Sequence, residues 1–133
     1  MLVYLVCSGV LVILYFVLAF NVSRMRGKTQ TGIGGGADPS GPLNKAVRAH
    51  GNAAEYAPIF IALFLYFSLS APSGWIAWVV VIVTVSRILH AAGMLMTKTF
   101  NAPPHPLRAI GSGGTYIGGL ALGVALLLRA FVQ

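Results

Sequence analysis

The feature that most constrains the fold is the first apolar run, Leu2 to Val22, which contains no charged residue. A helix rises 1.5 Å per residue, so a run of about 21 residues crosses a hydrocarbon core of roughly 30 Å. Within a bilayer all backbone polar groups need partners inside the protein, which favours a helix here. No Lys or Arg precedes Arg24, unlike a signal peptide, so we expect this helix to be retained.

Three further apolar segments predict three more spans, at about 43–70, 75–96 and 108–131. Overall, 57% of the residues are hydrophobic and 8% are charged, whereas about a quarter are charged in an ordinary soluble domain. Ala71 to Gly74 is typical of a tight turn, so the second and third spans form an antiparallel hairpin. We predict a single all-α domain, 1–133, that is an integral membrane four-helix bundle.

The two connections at one end of the bundle, 23–44 and 97–107, are rich in cations. The first contains a glycine-rich stretch, which lacks the Gly-Lys-Ser/Thr ending of a phosphate-binding loop and follows no strand, so a flexible turn is favoured. Cations gather in cytoplasmic loops, which predicts that both connections are cytoplasmic and that the termini lie outside. The cations at this end are Arg24, Arg26, Lys28, Lys45, Lys98 and Arg108, against Arg129 alone at the other.

The charge and cysteine content exclude several classes of function. The net charge is +7, but the cations are divided among loops and helix ends instead of forming one basic face, so we expect no nucleic-acid partner. The single cysteine, Cys7, permits neither an intramolecular disulfide nor a cysteine metal cluster. No second His or Cys stands at ligand spacing from His90, so we predict no metal site.

A polar stripe opens the second span, in a stretch from Arg48 to Pro58 that contains the only glutamate of the chain. Ionisable groups at membrane depth usually face a bundle interior or a wet cavity, because exposure to lipid is costly. Pro58 predicts a kink that opens space beside the stripe. At 3.6 residues per turn, about a third of the helix circumference holds the whole stripe, which consists of Lys45, Arg48, Asn52, Glu55 and Tyr56. His50 faces the opposite side.

The third and fourth spans carry further polar and small residues. Arg87 and His90 lie on the third span, and the structural alternative is that Glu55 pairs with Arg87 and Asn52 bridges helices inside the bundle. His90 is either a hydrogen-bonded core residue or a ligand-binding residue, and Tyr116 points either to the cavity or to lipid. Two Gly-x-x-x-Gly pairs, Gly114 with Gly118 and Gly119 with Gly123, predict close helix packing.

The Arg48-x-x-x-Asn52-x-x-Glu55-Tyr56-x-Pro58 pattern resembles the signature of the MAPEG family, the membrane-associated proteins in eicosanoid and glutathione metabolism. The four-span layout, the long basic first loop and the segment Arg87 to Gly93 are also similar, especially to small bacterial members. The resemblance implies a homotrimer in a bacterial inner membrane, with glutathione as co-substrate between subunits near the cytoplasmic helix ends. By this resemblance, the glutathione-binding residues are Arg48, Asn52, Glu55, Tyr56, Arg87 and His90.

The resemblance also implies different roles for the residues of the site, some in binding glutathione and others in activating its thiol. Arg48 would pair with a carboxylate of glutathione, and Glu55 with its ammonium or a backbone amide. Family enzymes use an arginine near the cytoplasmic end of the third helix to stabilise the thiolate, where this chain offers only Lys98. A nearby cation lowers a thiol pKa from its free value of about 8.5, so Arg24 and Arg26 become the candidate catalytic residues.

Three classes of function follow. The first is a glutathione-dependent transferase or peroxidase acting on lipophilic electrophiles, with membrane lipid and other copies of the chain as partners. The second is a non-catalytic membrane binding or assembly protein of the same fold. The third is a small transporter, which is disfavoured because the first, third and fourth spans contain no acidic residue.

Overall fold

Four helices make up the structure, a computed structural model that describes residues 1–70 and 74–131. They are α1 (Leu2–Thr29), α2 (Pro42–Leu69), α3 (Gly74–Met96) and α4 (Pro106–Ala130). Each is long and apolar enough to cross a membrane. The predicted all-α fold with four spans is therefore confirmed, while most of the turn predicted at 71–74 lies outside the described residues.

Two helix boundaries differ from the predicted ones. α1 continues past Val22 to Thr29, because Arg and Lys end an apolar run but are good helix formers. It stops at Gln30, which adopts a left-handed conformation (φ 50°) and donates its N–H to the Arg26 carbonyl. α4 begins at Pro106, earlier than expected, since proline suits the first helical turn. The long first connection is thus confined to residues 30–41.

The helices pack as two hairpins, α1 against α2 and α3 against α4, with α3 also touching the first two helices. The core is formed by large apolar side chains that are almost fully excluded from solvent. Side chains packed in this way stabilise the bundle, because each makes many small dispersion contacts that add up. The largest of its fully buried side chains are Phe64, Phe67, Leu11, Leu122, Val80 and Val83.

Close approach of α3 and α4 depends on glycines. A Cβ on Gly111 would lie 2.5 Å from the His90 nitrogen and from the Ser86 carbonyl oxygen, and one on Gly93 would meet the Arg108 backbone. Gly114 and Gly118 also pack against α3, as predicted from their spacing. In the described part of the chain, a Cβ on Gly123 would meet nothing and one on Gly119 would meet only the Phe60 ring at ordinary contact distance, so this pair brings no second backbone close.

The space beside Pro58 opens towards α1. Pro58 lines an apolar groove together with Val12, Phe16 and Leu65, while α2 continues as a helix to Leu69. Pro58 lines neither the space beside Glu55 nor the one beside Tyr56, so its predicted effect on them stays a prediction. The cavity next to Glu55 is described below.

Gly111→Ala should destabilise the α3–α4 hairpin, because two backbones must separate to admit the methyl group. We expect a loss of about 1–3 kcal/mol in unfolding free energy, the usual cost of overpacking. Denaturation of the purified protein in detergent measures it. Gly123→Ala is the matched control and should be neutral or slightly stabilising, since its Cβ meets nothing. Equal stability of the two variants would contradict the close packing.

Candidate functional site

A polar cavity of about 320 Å³ lies where α2, α3 and α4 meet. The first turns of α2 and α4 and the last turns of α3 surround it, which places it near the end of the bundle that carries the two cationic loops. Three of the five residues of the stripe predicted on α2 line this cavity, whereas Lys45 and Tyr56 do not. The polar residues of its lining are Arg48, Asn52 and Glu55 from α2, His90 from α3, and Arg108, Ser112 and Tyr116 from α4.

The charged groups of the α2 stripe are not paired with one another inside the subunit. Arg48 and Glu55 are both exposed and stand about two helical turns apart. Among the described residues, Glu55 forms no ion pair or hydrogen bond with Arg87 or with any other cation. Opposite charges are thus available to a ligand at separate points of one cavity.

Arg87 lies behind the cavity and supports its wall. The residue is only 2% exposed, and it donates to Asn52 Oδ1 at 2.6 Å and to the Asn52 carbonyl at 3.2 Å. Its guanidinium carbon lies 4.9 Å from the centre of the Tyr56 ring. The structural alternative is therefore right in one part and wrong in the other: Asn52 joins α2 to Arg87 on α3, whereas the described residues contain no Glu55–Arg87 pair. With Oδ1 occupied, the Asn52 amide hydrogens remain to donate elsewhere.

His90 belongs both to the packed core and to the cavity wall. It is 6% exposed, and its Nδ1 lies 3.2 Å from the Arg108 carbonyl oxygen and 3.0 Å from Ser112 Oγ. Nε2 is buried and has no hydrogen-bond partner in the described part of the chain. His50 faces the other way, as predicted. Its ring packs edge-on against that of Tyr15, with the two ring centres 5.0 Å apart.

The two predicted catalytic cations lie outside the cavity lining of the subunit. Arg24 donates to Asn21 Oδ1 at 3.0 Å, and Arg26 donates to the Gly32 carbonyl at 2.6 Å. These contacts hold the end of α1 and the start of the following loop. Besides Arg48, the structure places Arg108 in the cavity lining, a residue that sequence reasoning counted only among the loop charges. The sequence pattern that could have identified Arg108 is its spacing from Gly111, because this spacing places both residues on the α4 face that meets α3.

Arg108 is held from the loop side as well. Its guanidinium lies 5.6 Å from the centre of the Phe100 ring, and the Phe100 N–H donates to Ser40 Oγ at 3.2 Å. Ser40 Oγ also donates to Thr99 Oγ1 at 3.1 Å, so the two loops are tied together above the site. Arg48 and Arg108 also line a second polar cavity, of about 380 Å³, beneath these loops.

An apolar groove of about 460 Å³ runs between α2 and α4 on the membrane side of the polar cavity. Tyr116 lines both spaces, which resolves its orientation towards the site. Tyr56, predicted as a glutathione-binding residue, lines this groove, and its ring centre lies 6.3 Å from that of Tyr116. The remaining groove residues are Ile59, Phe60, Leu63, Thr115, Gly119 and Leu120.

Comparison with known proteins matches the sequence of this chain to a family. Residues 4–128 match the sequence model of the MAPEG family. The chain belongs to the MAPEG family. The match includes all of the residues that form the cavity and the groove.

Two curated relatives show a more specific likeness. The chain is 33% identical over 91 residues to the inner membrane protein YecN of Escherichia coli K12. The same identity and length are found for YecN of Escherichia coli O6:H1. The aligned part covers 68% of this chain and 66% of YecN, slightly less than two thirds of that protein's length.

Proposed function

We propose that this MAPEG protein binds glutathione in the polar cavity and joins it to, or uses it to reduce, lipophilic electrophiles in the inner membrane. One observation carries the proposal: a cavity with two arginines and one carboxylate opens directly beside an apolar groove. An ionic ligand and an apolar one can therefore meet at Tyr116.

The charges of the cavity match those of glutathione. The tripeptide has two carboxylates and one ammonium group, and arginine binds carboxylates through two parallel hydrogen bonds. Arg48 supplies one such group for a carboxylate, and Glu55 suits the ammonium or an amide N–H, which leaves the Arg108 guanidinium for the sulfur. Since Glu55 has no partner among the described residues, a ligand offsets the cost of holding its charge near the membrane.

Arg108 is the cation that we assign to the thiol. It lines the cavity next to His90 and Ser112, whereas Arg24 and Arg26 bond to their own end of α1. A cation near the sulfur lowers the thiol pKa and so increases the fraction of nucleophilic thiolate. In the transferase reaction the thiolate sulfur then bonds to an electrophilic carbon, and the leaving group departs with the electron pair.

Arg48→Ala and Glu55→Gln should each weaken glutathione binding by about 2–5 kcal/mol, the range for removing one partner of a desolvated charge pair. Isothermal titration of the purified protein measures this. Lys28→Ala removes an exposed cation outside the cavity and should leave the affinity unchanged. A folded wild-type protein that does not bind glutathione would exclude the proposal.

Absorbance of the thiolate in the same samples separates the two classes of function that remain. Arg108→Ala should reduce the thiolate signal, and Arg24→Ala should not. Binding without any thiolate signal in the wild type would favour the alternative, a non-catalytic membrane binding protein that retains the same cradle.

The apolar groove is the proposed site of the electrophile. A Cβ on Gly119 would lie 3.5 Å from Phe60 Cζ, an ordinary contact, so a larger side chain here fills the groove without a backbone clash. Gly119→Leu should lower kcat/KM for a long-chain electrophile by about tenfold or more, as is typical of steric change in an apolar pocket. Glutathione affinity should not change.

Gly123→Leu is the matched control, since Gly123 lies one turn further along α4 and does not line the groove. A small water-soluble electrophile provides a second control, because it does not need the groove. If Gly119→Leu and Gly123→Leu affect the long-chain substrate equally, the groove is not its binding site.

The exposed charges of α2 support a proposal for assembly and orientation. A charge that faces lipid is costly, so we infer that a neighbouring copy covers Arg48 and Glu55 in a homotrimer. The cationic loops face the cytoplasm and the termini lie outside. Native mass spectrometry in mild detergent should give the trimer mass, and Ser40→Cys should be labelled only from the cytoplasmic side. A monomer, a dimer or labelling from outside would contradict this arrangement.

A further inference from the structure

Ser112 differs from the threonines of the same bundle in where its hydroxyl lies. Thr84 and Thr115 each donate to the carbonyl four residues earlier in their own helix, and Thr97, just after the end of α3, does the same, at 2.6–2.8 Å. This local bond is the usual choice for a hydroxyl within a helix. Ser112 Oγ instead lies 3.0 Å from Nδ1 of His90, on the neighbouring helix, and the residue is half-buried in the cavity lining.

The contacts of His90 determine which ring nitrogen carries the hydrogen. Nδ1 is 3.2 Å from the Arg108 carbonyl oxygen, which can only accept. A hydrogen on Nδ1 is therefore favoured, because the other tautomer would bury an N–H at Nε2 with no described acceptor. A hydrogen on both nitrogens would likewise leave a buried Nε2–H without a described acceptor, so the contacts fit a ring with its hydrogen on Nδ1 alone.

The neutral ring sets the direction of the Ser112 hydroxyl. The Arg108 carbonyl is the acceptor four residues before Ser112, the one that its hydroxyl would otherwise use. His90 Nδ1–H donates to that carbonyl and to Ser112 Oγ, so the serine oxygen acts as an acceptor towards α3. Its own hydrogen is then free to point into the cavity, on the same side of α4 as Arg108.

We propose that Ser112 donates a hydrogen bond to the glutathione sulfur and that His90 is a positioning residue that frees its hydrogen to do so. The inference rests on the proposed function, because it requires a thiol in the polar cavity. Donors fixed in advance around a developing negative charge stabilise it, so hydroxyl and guanidinium together favour the thiolate after its proton has left to water. The other titratable groups that face this space are Arg48, Glu55, His90 and Tyr116.

The test is the pH titration of thiolate absorbance in the purified protein with bound glutathione. Ser112→Ala should raise the pKa of the bound thiol by about one unit, which lowers the thiolate fraction about tenfold well below that pKa. The dissociation constant should stay within about twofold at a pH where the thiol is protonated. Thr84→Val is the control, since its hydroxyl is committed to the Val80 carbonyl, and it should leave the titration unchanged.

The role of His90 is tested by a conservative rescue. His90→Leu should shift the thiol pKa in the same direction as Ser112→Ala, whereas His90→Asn should restore much of the original value because its amide places an N–H near the position of Nδ1. Wild-type thiolate behaviour in Ser112→Ala, with normal glutathione binding, would overturn this inference alone. Failure of the wild type to bind glutathione would instead overturn the proposed function.

Discussion

The site depends on a buried cation that has no carboxylate partner in the described part of the chain. Arg87 is 2% exposed, and moving a charge out of water is expensive unless hydrogen bonds replace the lost hydration. Asn52 on α2 and Thr115 on α4 accept from its guanidinium, and the face of Tyr56 lies against it. Arg87 therefore connects three helices at the level of the cavity, and the orientation of Asn52 is a consequence of that connection.

The cavity has one rigid wall and one open side. Along the rigid wall, Gly93 and Gly111 bring α3 and α4 so close that His90 contacts the Arg108 backbone. On the open side, Arg48 and Glu55 are exposed on α2. Fixed donors can stabilise a developing charge because they need not reorganise, whereas exposed side chains can adapt to an incoming ligand. The two sides are therefore suited to different tasks, chemistry and binding.

The sequence predicts those parts of the fold that depend on local patterns. Apolar length predicted the four spans, and helical periodicity correctly separated the α2 stripe from His50. The spacing from Gly111 places Arg108 on the α4 face that meets α3, but that this face borders a polar cavity depends on how the helices pack, which spacing alone does not predict. The Glu55–Arg87 pair failed for a related reason: opposite charges at compatible depth do not determine rotamers, and the Asn52 amide lies closer.

The difference between an active enzyme and a binding protein of this fold lies mainly in the α3–α4 wall. Arg48 and Glu55 can hold the ends of a charged peptide whether or not the sulfur is activated, because their positions depend on α2 alone. In the proposed mechanism, activation requires Arg108 and Ser112, whose placement depends on the glycine packing and on His90. A relative that lost one of these α4 residues would keep its affinity and lose its thiolate. Conversely, this chain retains a guanidinium, a hydroxyl and an imidazole around one cavity, an arrangement that simple binding does not require, and this favours the enzyme.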